Sequence, residues 1–115
     1  MKTLREMLAE ARQAIREEGP EELRARLASG EPLVLIDVRD PDEYRDGYIE
    51  PAVNISRGFL EFRIGTAAPD PSVPIILYCQ TGLRSALAAK ALKDLGFPNV
   101  INLAGGYQRW IQSGH

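Results

Sequence analysis

Apolar residues recur along this chain with two different periods, and the switching between them lays out its elements. Leu4, Met7, Leu8, Ala11 and Ile15 fall at helical spacing, which predicts an amphipathic helix over residues 3–14. Ile15-Arg16-Glu17 reads as a short edge strand. Gly19-Pro20-Glu21-Glu22 then opens a second helix, with proline and acids in the first turn, that runs through Leu23 and Leu27 to a stop at Gly30. Leu33-Val34-Leu35-Ile36 is a continuous apolar run, the pattern of a strand buried on both faces of a parallel sheet. A short helix from Pro41 closed by Gly47, a strand over Ala52-Val53-Asn54-Ile55 and a helix from Arg57 to Ile64 follow. Ala67 to Pro74, with Pro69 and Pro71 between, is a loop. Ile75-Ile76-Leu77-Tyr78 is a second apolar run, followed by a helix over residues 84–95 that Gly96 stops. Asn99-Val100-Ile101-Asn102 is the last strand, and Gly105-Gly106 leads into a final helix carrying Tyr107, Trp110 and Ile111.

Strands that alternate with helices predict an α/β fold with a parallel sheet covered on both faces. In such sheets ligands bind outside the carboxyl ends of the strands. Asp37, Arg39 and Cys79 all fall at that edge.

With 115 residues the chain makes one domain with a real core. Residues 1–14 are read as an amino-terminal helix packed on a domain of residues 15–115. The net charge of −2 suggests neither a nucleic-acid surface nor a polybasic membrane anchor. The amino terminus carries charges throughout and no apolar stretch resembling a signal peptide, so a cytoplasmic protein is expected. Cys79 is the only cysteine and His115, the last residue, the only histidine. That combination excludes an internal disulfide and argues against a metal cluster or a Cys-His dyad.

Cys79 nevertheless has the address of a reactive thiol. It follows a buried strand and precedes Gln80-Thr81-Gly82-Leu83-Arg84-Ser85 and a helix start. A sulfur there faces unpaired backbone N–H groups and the positive end of a helix dipole, and both favour the thiolate. Gly82 lets the turn adopt positive φ so that successive amides point at one sulfur. Arg84 adds a forked positive group, for an anionic donor or as a brace of the loop. Thr81 and Ser85 can donate hydroxyls, and Ser85 is equally placed to cap the helix. Arg39 and Glu43, four apart, read as a structural ion pair, and Asp37 as a holder of loop amides or of a nearby arginine. Tyr44 and Phe59 are packing residues or rim a pocket, and Trp110 is a core aromatic.

Three segments together, Asp37-Val38-Arg39-Asp40-Pro41-Asp42-Glu43-Tyr44-Arg45-Asp46-Gly47-Tyr48-Ile49, Cys79 to Ser85, and Leu103-Ala104-Gly105-Gly106-Tyr107-Gln108-Arg109-Trp110, resemble a single-domain rhodanese from about residue 15 to Trp110. The resemblance implies a five-stranded parallel sheet with helices on both faces, and sulfurtransferase chemistry without cofactor or metal. Cys79 would take a sulfane sulfur from an anionic donor such as thiosulfate and hold it as a persulfide. An external thiol, cyanide or a protein acceptor would then remove it, because the chain has no second cysteine. Gln80 to Ser85 would form the loop that binds the donor, with Asp37 and Arg39 in support. A monomer or weak dimer is expected, with residues 1–14 as the contact in a dimer. Two departures stand out: Gly47-Tyr48-Ile49-Glu50-Pro51-Ala52 replaces the usual Gly-His-Ile-Pro-Gly-Ala, and Gln80 stands where many members carry a basic residue.

Two other functions are open to a chain of this kind. Rhodanese-like modules with a degenerate loop serve as binding, carrier or regulatory domains, although here cysteine, glycine and arginine are all retained. Phosphatases and arsenate reductases of similar fold need one more residue between cysteine and arginine than the four present here, Gln80 to Leu83.

Overall fold

A computed structural model describes residues 1–114. Five strands form one parallel sheet in the order β1-β5-β4-β2-β3: β1 (Arg16–Glu18), β2 (Val34–Asp37), β3 (Val53–Asn54), β4 (Ile75–Tyr78) and β5 (Val100–Leu103). The helices are α1 (Leu4–Ala14), α2 (Pro20–Ser29), α3 (Pro41–Asp46), α4 (Leu60–Ala67), α5 (Leu83–Leu95) and α6 (Gly106–Gln112), with a 3-10 turn over Arg57–Phe59 before α4. The five-stranded parallel α/β architecture expected from the sequence is therefore present.

β4 lies between β2 and β5, and all four of its residues are buried. Its side chains alternate between two cores, as a pleated strand requires. Ile75 and Leu77 pack with Ile36, Val38, Leu60, Ile64, Ala88, Ala89 and Leu92 beneath α4 and α5. Ile76 and Tyr78 pack with Leu23, Leu35, Ile49, Ile101 and Leu103, against which Tyr107 and Trp110 of α6 lean. Ala86, Ala88 and Ala89 on the inner face of α5 are fully buried and let its backbone lie close to the sheet.

The amphipathic amino-terminal segment forms α1 and packs against α5, burying Ala11. Its start is set by a reciprocal cap: the Glu6 N–H donates to Thr3 Oγ1 (3.1 Å) and the Thr3 N–H to Glu6 Oε1 (3.0 Å). The two strands at the ends of the sequence reading, β1 and β5, each begin one residue later than expected. The segment predicted as one helix from Arg57 to Ile64 is instead a 3-10 turn followed by a helix that reaches Ala67. No helix among the described residues is long and apolar enough to cross a membrane.

Tyr48, Glu50 and Pro51, the departures from the family pattern, build a scaffold beside the sheet edge. Tyr48 stacks on Tyr44 with ring centroids 4.2 Å apart, and the Tyr44 hydroxyl donates to the Ala52 carbonyl (2.8 Å). The Glu50-Pro51 peptide is cis. Next to it, the Ile49 N–H donates to the Tyr78 hydroxyl (3.0 Å). Burial pushes that phenol's pKa above its ordinary value.

Candidate active site

β4 ends at Tyr78, and the next residue, Cys79, sits at the carboxyl edge with only 1 % of its surface exposed. Residues 80–82 turn around it before α5 begins. Gly82, at φ +94°, makes this turn possible. Three donors converge on the Cys79 sulfur: the Gly82 N–H at 3.1 Å, the Ser85 N–H at 3.4 Å and the Ser85 hydroxyl at 3.3 Å.

Ser85 is therefore not the helix cap. It lies inside the first turn of α5, fully buried, and its hydroxyl is directed at sulfur, while Gly82 takes the cap position. The Gly82 carbonyl accepts from the Ala86 N–H (3.2 Å) and from Asn102 Nδ2 (3.1 Å). Thr81 and Leu83 are exposed on the outside of the loop.

The loop rests on α6. The Tyr107 N–H donates to the Cys79 carbonyl (2.8 Å) and the Gln108 N–H to the Gln80 carbonyl (3.0 Å). Gly106 permits this approach. A Cβ on it would meet the Cys79 carbonyl oxygen at 2.5 Å and the Gln80 carbonyl carbon and oxygen at 2.7 Å.

Below the loop, Asp37 and Arg39 form a buried pair, with side chains 0 % and 3 % exposed. Arg39 Nε lies 3.0 Å from each Asp37 carboxylate oxygen, and Nη2 is 2.7 Å from Oδ2. The remaining donors reach the Gly47 carbonyl (2.6 Å) and Gln80 Oε1 (3.1 Å). The guanidinium also lies 4.4 Å from the Tyr107 ring centroid. Burial works against the Arg39 charge, but the bonds and the charge of Asp37 outweigh it and hold the arginine pKa above its ordinary value.

Asp37 thus takes both roles read from sequence: its Oδ1 accepts from the Arg39 N–H (2.9 Å), and the carboxylate holds the Arg39 guanidinium. The expected Arg39–Glu43 pair is replaced by Asp37–Arg39 and Arg84–Glu43. Arg39 precedes the helix, so spacing of four residues does not put it on the face that Glu43 occupies. Gln80 turns inward to Arg39, filling the place beside the cysteine with a brace instead of a charge.

Arg84 donates through Nη1 and Nη2 to the two oxygens of Glu43, each at 3.1 Å. These hydrogen bonds lower the Glu43 pKa and raise that of Arg84. Glu43 Oε1 also accepts from the Asp40 N–H (3.1 Å), closing the first turn of α3. A depression beside the loop is lined by Arg39, Glu43, Asp46, Gly47, Gln80 and Tyr107. Tyr44 is taken up by its stack on Tyr48, while exposed Phe59 carries Arg63 over its ring at 4.7 Å. Trp110 is half-buried, covered by the Arg24 guanidinium 4.3 Å from the ring centroid.

Sequence reasoning passed over Asn102 and Tyr107. Asn102 is fully buried in β5, and its amide nitrogen bridges the Gly82 carbonyl to Glu17 Oε2 (2.8 Å). The signal available was a polar amide inside the apolar run Val100-Ile101-Asn102-Leu103, since such a group needs a buried partner.

The fold and this loop define a parallel α/β protein with one cysteine caged by donors at the carboxyl edge of its central strand. The chain belongs to the rhodanese-like family: the family model for the rhodanese-like domain matches residues 19–113. It is 42% identical over 93 residues to the probable adenylyltransferase/sulfurtransferase MoeZ of Mycobacterium tuberculosis, covering 81% of this chain and 24% of that protein. The chain thus spans about a quarter of that relative's length. It is 34% identical to a sulfurtransferase of Allochromatium vinosum over 94 residues, 82% of this chain and 86% of that one. A solved structure from Rhodopseudomonas palustris, a protein of unknown function described as a possible tyrosine phosphatase, superposes with a TM-score of 0.85 at 35% identity, covering 99% of this chain and 92% of that one. The first of these relatives is described as a probable adenylyltransferase/sulfurtransferase and the second as a sulfurtransferase.

Proposed function

We propose that this protein is a sulfurtransferase in which Cys79 carries the sulfur as a persulfide. The observation that carries the reading is the set of three donors on one buried sulfur. Negative charge on a buried atom costs free energy unless donors face it, and here they are fixed in place before any substrate arrives. Neither a general base nor a second cysteine is required by this reading.

The first half-reaction is a displacement at sulfur. The Cys79 thiolate attacks the outer sulfane sulfur of a donor such as thiosulfate. A sulfur–sulfur bond forms to Cys79, the donor's own sulfur–sulfur bond breaks, and its electron pair leaves with sulfite. The products are the Cys79 persulfide anion and sulfite, so charge and atoms balance. In the second half, cyanide or a thiolate attacks the outer sulfur of the persulfide and the electron pair returns to Cys79. Splitting the transfer into two displacements predicts ping-pong kinetics.

A phosphatase reading has the Rhodopseudomonas palustris relative in its favour. Against it stand the four residues between Cys79 and Arg84, one too few for a phosphate cradle, and the engagement of Arg84 by Glu43. Steady-state kinetics with thiosulfate and cyanide, together with Cys79→Ser, test the proposal. Parallel double-reciprocal lines and complete loss of turnover in the folded variant are expected. Turnover that survives the substitution removes Cys79 from the reaction, and hydrolysis of an aryl phosphate favours the rival chemistry.

A further inference from the structure

We propose that Glu43 sets the donor preference of this site by occupying Arg84 as an internal anion, so that donors of lower charge are favoured over dianions. The inference rests on the sulfurtransferase reading above and goes beyond it by naming the residue that discriminates among donors.

Two arginines at the loop are held by carboxylates, Arg39 and Arg84, and they differ in availability, while exposed Arg109 lines a separate depression with Thr81. Arg39 is buried, and its donors are taken by Asp37, the Gly47 carbonyl and Gln80. Arg84 is the exchangeable one, because its side chain is 41% exposed and its partner Glu43 33%. A forked guanidinium matches a carboxylate and an oxyanion equally well, so a donor and Glu43 compete for the same face.

Glu43 is also well anchored as a competitor. Its Oε1 receives the Asp40 N–H as well as Arg84, which holds the carboxylate in register with the first turn of α3. Asp46 stands with Glu43 around the depression beside the loop, while Gln80 contributes no charge. A dianion arriving here must displace one carboxylate from Arg84 and approach another. A monoanion meets about half that repulsion, because Coulomb energy scales with the product of charges.

Thiosulfate and methanethiosulfonate make the pair of probes. Both release a sulfane sulfur to a thiolate, and they carry two negative charges and one. The variant E43Q keeps an amide oxygen for the Asp40 N–H and removes the charge. E43M, of equal length, removes charge and oxygen together and serves if E43Q is poorly folded. Expected for either variant is a KM for thiosulfate lower by about fivefold, or roughly 1 kcal/mol at 1.4 kcal/mol per tenfold, the upper range for an exposed ion pair. The KM for methanethiosulfonate should fall less, and kcat should stay within about twofold for both. In an Arg84→Ala background the gain from E43Q should shrink, because its main target is gone.

Unchanged KM values, equal shifts for the two donors, or a change confined to kcat would overturn the role of Glu43. Mass spectrometry of wild-type Cys79 after each donor separates the two levels of the argument. If neither donor adds sulfur, the sulfurtransferase reading fails and takes this inference with it. If sulfur is added while the KM ratio of the variants stays at the wild-type value, only the inference about Glu43 falls.

Discussion

Replacing Gly106 by alanine tests how tightly the sulfur loop is seated on α6. Its Cβ would lie 2.5 Å from the Cys79 carbonyl oxygen and 2.7 Å from the Gln80 carbonyl carbon and oxygen, all backbone atoms that no rotamer change can remove. Relief requires a retreat of about 1 Å, given carbon contacts near 3.5 Å. That retreat stretches the Tyr107 and Gln108 N–H bonds to the same two carbonyls, at about 1 kcal/mol each. A side chain at φ +60° adds roughly 1 kcal/mol more. The expected loss is therefore about 3 kcal/mol, or roughly 12 °C in melting midpoint at about 4 °C per kcal/mol. Gly30→Ala is the control, since Gly30 has a similar positive φ of 72° with nothing within 4 Å, and should cost only about 1 kcal/mol. Urea denaturation followed by far-UV circular dichroism gives both values. Turnover with thiosulfate and cyanide should fall about a hundredfold in Gly106→Ala, the scale of a 1 Å misplacement at a reacting centre. Equal stability of the two variants, with turnover intact, would refute the close seating.

The buried Asp37–Arg39 pair makes a second test. Arg39→Met should cost about 3–5 kcal/mol in urea denaturation by stranding a buried carboxylate, and adding Asp37→Asn should recover part of that loss. A third concerns acid stability. Arg26 hydrogen bonds to Glu18 at 2.8 Å lower the Glu18 pKa below its ordinary value of 4.5. A lowered folded pKa contributes stability above the unfolded value and loses it as pH falls through the folded one. Glu18→Gln should accordingly flatten the loss of stability below about pH 4.5, and an acid limb of unchanged steepness would count against the pair.

Most of the frame was legible in the sequence because its signals are local. Continuous apolar runs at residues 33–36 and 75–78 marked strands buried on both faces, and Gly30, Gly47 and Gly96 ended helices where expected. The address of Cys79 was legible for the same reason, since strand, turn and helix follow one another in the chain. Long-range partners were not. Nothing near Glu43 in sequence shows that Arg84, 41 positions away, will claim it. The glycine at the α5 cap left Ser85 free to reach the sulfur, a choice decided by the positive φ of Gly82 and not by the preference of serine for caps. Asn102 showed itself only as a polar interruption, and its partners Glu17 and Gly82 come from β1 and the loop, brought together by a strand order that no local pattern contains.

The central claim is that Cys79 accepts and holds a sulfur atom. Intact-protein mass spectrometry after brief treatment with thiosulfate tests it most directly. A gain of one sulfur atom, mapped to Cys79, reversed by cyanide and missing in Cys79→Ser, is the predicted result. A wild-type mass that stays constant with thiosulfate and with methanethiosulfonate contradicts it.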